Sequence, residues 1–156
     1  MNSPSPIRRL ALVAALVLPP IGMPLLAQAQ LGGDQASVYS DSQAMQAMAT
    51  SVSTAAYTRY DLKTATMVVH EYAGPSGTVF AVTFSGNRIP ALELLLGGYL
   101  DAYQTGAARV PPGQRRNLVI DTPSLKAALS GRPYALTGRF WVPSLTPAGI
   151  LAETLP

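Results

Sequence analysis

The sequence predicts an α+β domain: an antiparallel sheet of four to five strands packed against one main helix, with a short N-terminal helix. Three observations carry this. Residues 64–72 and 78–84 alternate in the period-2 manner of strands around the turn sequence Gly74-Pro75-Ser76-Gly77. Leu92, Leu95, Leu96, Tyr99 and Tyr103 then follow the i, i+3, i+4, i+7, i+11 series of one buried helix face. Beyond a proline-rich loop, 117–121 and 134–142 again read as strands.

The chain opens on a leader. Arg8 and Arg9 precede an apolar stretch, 10–26, and Ala27-Gln28-Ala29 supplies small residues at the positions that signal peptidase reads. Pro19, Pro20 and Pro24 interrupt the stretch and disfavour a spanning helix. We therefore expect residues 1–29 to be a signal peptide cleaved near Ala29 and 30–156 to form a single domain, exported to the periplasm or cell surface, with no membrane span left after cleavage.

Charge is read against that cleavage. The full chain has 11 basic and 8 acidic residues. Without Arg8 and Arg9 the balance is nine to eight, which gives no footprint for nucleic acid. Six acids face three bases in 30–105, and six bases face two acids in 106–156, so the two halves are expected to neutralise each other on packing. With no cysteine there is no disulfide, thiol nucleophile or thiolate metal site.

Taken in order, Leu31-Gly32-Gly33-Asp34 reads as a mobile lead-in. Ser40 and Gln43 have capping-box spacing, which predicts a helix over 41–49 that docks on the sheet through Met45 and Met48. Residues 53–62 read as a strand. In the following hairpin, Phe80, Val82 and Phe84 share the buried face. The main helix spans 90–103, with Pro90 in its first turn, Glu93 near its positive end and Gly106 as its stop. Gly97 and Gly98 inside it each cost about 1 kcal/mol, which a close approach to the sheet would offset. Segment 122–132 is ambiguous, Leu125, Ala128 and Leu129 fitting a helical turn. In 134–142, Tyr134, Leu136, Phe140 and Val142 face one way, while Arg139 and Trp141 face the other, outward. The tail 143–156, with three prolines, should run irregularly over the surface.

Four blocks carry a resemblance: LGGD at 31–34, HEYAGPSGTVFAVTFSG at 70–86, LLLGGYLDAY at 94–103 and GRFWVPSLTPAG at 138–149. Together they resemble a family of exported proteobacterial proteins known only as a domain of unknown function. The resemblance implies an exported single domain and no particular activity. His70 stands where the pattern has a basic residue, and 122–132 is longer than usual.

No chemistry is nominated strongly. His70 is the only histidine. It sits mid-strand without a glycine-flanked nucleophile, so an exposed or hydrogen-bonded strand histidine is the better reading. The acids lack metal-ligand spacing, so neither a metal site, a cofactor nor a catalytic residue is assigned. The candidate binding residues are Arg88 in the strand–helix loop, with Glu71 on the hairpin as its nearest candidate partner, and Arg139 with Trp141, as an outward pair suited to a partner surface. The leading expectation is a non-enzymatic exported protein that binds an envelope component or a protein partner. The alternatives are a small hydrolase with a carboxylate site, and a small-molecule carrier with a closed apolar pocket above roughly 300 Å³.

Overall fold

The computed structural model describes residues 30–156, without the side chains of 114–116. The predicted leader, 1–29, lies outside the described residues. The fold is α+β and the sheet is antiparallel throughout, with seven strands rather than four to five. They are β1 Met48–Ser53, β2 Thr58–Lys63, β3 Met67–Ala73, β4 Val79–Gly86, β5 Leu118–Asp121, β6 Lys126–Arg132 and β7 Ala135–Trp141. Their order across the sheet is β1-β2-β3-β4-β7-β6-β5. After β4 the chain runs through the helices to the far edge at β5. It then returns through β6 and β7 to lie beside β4.

Two strands were not legible, each for a physical reason. Strand β1 is exposed along its whole length, so no apolar alternation marks it. It forms a hairpin with β2 through a turn in which the Thr54 hydroxyl accepts from the backbone N–H groups of Ala56 and Tyr57, 3.3 and 3.1 Å away. Residues 53–62, expected as one strand, are thus the end of one strand, this turn and most of the next. Strand β6 occupies the ambiguous segment. Ala127 and Leu129 alternate into the core, and in so short a run two apolar residues fit either period.

Helix α1, Gln35–Ala44, starts six residues before the expected helix. Its cap is Asp34, whose Oδ1 accepts from the Ser37 N–H at 3.0 Å, rather than Ser40. Met45 packs against the core, but Met48 lies in β1 and is exposed. The glycines before α1 are not a loose lead-in. Gly32 N–H donates to the Val79 carbonyl and Val79 N–H donates to the Gly33 carbonyl, at 2.8 and 2.9 Å, tying the segment to the start of β4.

The main helix is broken. It comprises α2 Leu92–Leu96, a 3₁₀ turn Gly97–Tyr99 and α3 Leu100–Ala108. Gly97 has φ +46°, which ends α2, and a Cβ there would overlap the Gln30 side chain. Gly97 therefore breaks the helix where it passes the N-terminal segment, and the pair does not press it on the sheet. The close approach is made by Gly106. It lies inside α3 rather than ending it, and a Cβ there would stand 2.6 Å from Ile120 Cγ2 of β5.

The hairpin between β3 and β4 forms as expected around 74–77, with one change of consequence. Tyr72 pairs with Ala81 while Ala73 pairs with Val79, so Phe80 is an extra residue in β4. This bulge turns Phe80 away from Val82 and Phe84. Val79, Val82 and Phe84 join Leu62, Val69, Phe140, Leu95 and Leu96 in the core beneath the helices. Phe80 joins Tyr72 and Ala81 on the opposite face, where Ala152 and Leu155 cover them. The tail 143–156 runs irregularly, with only two short 3₁₀ turns, and packs as a strap through Ala152 and Leu155. Its end is held by the Tyr72 and Thr83 hydroxyls, which donate to the Pro156 carbonyl at 2.6 and 2.7 Å. No helix among the described residues is long and apolar enough to cross a membrane.

In β7, Gly138 is buried opposite Phe84, whose ring stacks on Phe140 at 6.2 Å. A Cβ at Gly138 would overlap the Phe84 ring. We expect Gly138→Ala to lower stability by about 1–3 kcal/mol through overpacking. Gly98→Ala, where a Cβ meets nothing within 4 Å, should be neutral or stabilising by up to about 1 kcal/mol. Urea unfolding of both variants tests the contrast, and an equal loss in the two would contradict it.

Candidate functional site

The four candidate residues fall in three separate places. Glu71 lies on the inner face of β3, only 1% exposed. Arg88 is exposed in the loop between β4 and α2 and makes no ion pair among the described residues, so the expected pairing with Glu71 is not formed. Arg139 and Trp141 lie on the opposite face of β7, where the strap covers part of both. Arg139 donates through Nη2 to the Leu155 carbonyl at 2.5 Å and through Nη1 to the Glu153 carbonyl. Trp141 packs against the cluster formed by Tyr72, Phe80 and Leu155. Much of what reads in sequence as an outward pair thus anchors the chain's own tail.

His70 belongs to a side-chain network centred on Asp61. Its Nδ1 lies 2.6 Å from Asp61 Oδ1, and Arg59 holds the same carboxylate through Nε at 2.7 Å and Nη2 at 3.0 Å. This register follows from Asp61 and His70 facing each other across β2 and β3. The hydrogen bond of the ring is to Asp61, and no hydroxyl joins it in a triad arrangement among the described residues. The Arg59–Asp61, His70–Asp61 and Lys126–Asp121 pairs among the described residues each lie within one half of the chain.

The most developed concavity was not foreseen as a set of residues. It is an open cleft of about 760 Å³ between α3 and the β6–β7 hairpin. Phe84, Leu129 and Leu136 form its floor, Tyr103 and Ala108 its helical wall, and Ile89 part of its mouth. Among the described lining residues Arg132 is the only charged one. The Tyr103 ring meets Phe140 edge-on at 5.8 Å, and burial pushes its phenol above the usual range. The cleft lies where α3 faces the β6–β7 hairpin, with Tyr103, Gln104, Ala107 and Ala108 on its helical side. The sequence signal for it was weak, since Leu129, Ser130, Gly131, Arg132 and Pro133 of its lining come from the ambiguous segment and the turn that follows it. A second, more polar hollow of about 620 Å³ lies on the other side of Ile89, lined by Arg88, Met45 and Thr66.

Glu71 is the unusual titratable group. Neither carboxyl oxygen has a hydrogen-bond partner among the described residues. Burial, and secondarily the nearby Asp41 charge from α1, push its pKa up to about 8. A carboxyl raised in this way stays protonated in the fold while the unfolded chain ionises near the ordinary value of 4.5. Stability should therefore fall as pH rises from about 4.5 to about 8, by about 3 kcal/mol at pH 7. Glu71→Gln should flatten that slope. Urea midpoints measured across this range test it, and parallel curves for wild type and variant would refute the assignment.

No curated protein and no solved structure gives a significant match to the chain. A family profile does match, over residues 27–155, which spans all four sequence blocks. The chain belongs to the family described as Protein of unknown function (DUF2844).

Proposed function

We propose that this is a non-enzymatic binding protein of the cell envelope, exported by its leader to the periplasm or cell surface, which takes an apolar group of an envelope component into the cleft between α3 and the β6–β7 hairpin. The cleft is the observation that carries this reading. Its volume of about 760 Å³ falls in the range of small-molecule sites, roughly 300–1,000 Å³. Its floor is aromatic and aliphatic, and its charged lining residue, Arg132, could orient a ligand but supplies no acid–base pair. The site is open at its mouth, unlike the closed pocket expected of a carrier, so part of the ligand would stay outside. The hydrolase alternative gains nothing from Glu71, whose carboxyl is buried under α1 away from the cleft. The partner surface expected at Arg139 and Trp141 is partly engaged by the strap.

Uptake of N-phenyl-1-naphthylamine, which fluoresces in apolar surroundings, tests the cleft. Wild type should bind the dye saturably. Ala108→Trp, which fills the cleft from the exposed side of α3, should weaken binding about tenfold or more with thermal unfolding unchanged. Equal uptake by both would exclude the cleft as the site. Intact mass of the protein recovered from its producing cells tests export: a chain starting at Gln30 is expected, and one still starting at Met1 would rule out cleavage.

A further inference from the structure

The β4–β7 pairing brings two loops side by side at the mouth of the cleft. Gly86 pairs with Leu136, so the loop 87–90 leaving β4 lies beside the β6–β7 turn, 131–134. The loops share one pattern. Each presents an arginine next to an exposed apolar side chain: Arg88 beside Ile89, 47% exposed, and Arg132 two residues from Tyr134, 85% exposed. Neither loop contains an acid, and neither arginine makes an ion pair among the described residues. Single exposed apolar residues are ordinary. Two of them beside unpaired cations, on adjacent loops at the mouth of an apolar cleft, are not.

Tyr134 adds an independent sign. It occupies a two-residue turn between the paired Arg132 and Ala135, with φ +67°. That is the left-handed region, which glycine enters freely and an aromatic residue does not. A strained backbone that holds an aromatic ring out in solvent stabilises nothing within the fold and points to a role outside it. Tyrosine suits the boundary between water and lipid, its ring on the apolar side and its hydroxyl on the wet side. Arginine complements it, with an apolar stem and a guanidinium that pairs with phosphate.

We propose that loops 87–90 and 131–134 form a docking surface for an anionic phospholipid bilayer, set at the mouth of the cleft. The arginines engage lipid phosphates, and Ile89 and Tyr134 enter the interfacial layer. This deepens the reading of the cleft as a binding site, because a cleft that opens at a docked face receives its apolar ligand from the bilayer without passage through water. Charge complementarity selects the occupant. Two unpaired cations with no acid between them favour an anionic surface over a neutral one.

Vesicle flotation with phosphatidylcholine, with and without phosphatidylglycerol, tests the surface. Wild type should float with the anionic vesicles and much less with the neutral ones. Neutralising both arginines in Arg88→Gln/Arg132→Gln should weaken anionic-vesicle binding about thirtyfold. Arg88→Gln/Tyr134→Gly changes no cleft-lining residue and relieves the strained turn. It should lose vesicle binding while keeping naphthylamine uptake. Equal flotation on both vesicle types, or binding unchanged in the arginine variant, overturns the docking surface, and dye uptake that persists would then leave the cleft reading intact. Vesicle binding that depends on charge and on both arginines, without any dye uptake, upholds the surface and removes the cleft from the function.

Discussion

The fold depends on one extra residue in one strand. Phe80 has no cross-strand partner in β3, and the bulge it makes reverses which side chains of β4 face the helices. Strand β4 lies at the centre of the sheet, so a reversal there reaches both faces. Val79, Val82 and Phe84 pack beneath α2 and α3, while Phe80 and Ala81 meet the C-terminal strap. A regular strand would send Phe80 to the helical side with Val82 and Phe84, leaving the strap without its largest apolar contact on β4. The bulge gives one sheet two cores, and Arg139, Tyr72 and Thr83 then fasten the strap by hydrogen bonds to its backbone carbonyls.

Glycines shape the helical segment in a comparable way. The break at Gly97 allows the helical segment to change direction between β4 and the far edge, and Gly106 presses α3 against Ile120. Where α3 faces β6 and β7, the space between them is lined with Leu129, Leu136 and Phe84 rather than filled. Where two layers diverge, apolar side chains on both walls stay partly uncovered, and an apolar ligand can complete their burial. The buried Glu71 lies elsewhere, between β3 and α1. It is not among the residues that line the cleft.

Much of the local structure was legible in the sequence. The alternation of 64–72 and 78–84, the Gly74-Pro75-Ser76-Gly77 turn and the leucine–tyrosine stripe of 92–103 specified a hairpin followed by helix, because period and turn chemistry are local properties. The stripe holds its place in the core even though the helix is broken, since Leu95, Leu96 and Tyr103 still reach the same cluster. Strand β1 was hidden because an edge strand exposed on both faces needs no apolar pattern. Strand β6 was hidden because two apolar positions do not distinguish a strand from a helical turn.

The sequence by itself determined the class of the fold, the hairpin, the helical stripe, the family and the absence of cysteine chemistry, all carried by residues close together in the chain. Tertiary structure decided the rest. It placed Glu71 in the interior, turned Arg139 and Trp141 toward the chain's own tail and brought loop 87–90 against the turn 131–134, more than forty positions apart. These outcomes rest on strand order and on a bulge, and neither leaves a periodic trace in the amino-acid sequence. The cleft shares that origin: its walls come from β4, α3, β6 and β7, and they meet only because β7 returns to pair with β4.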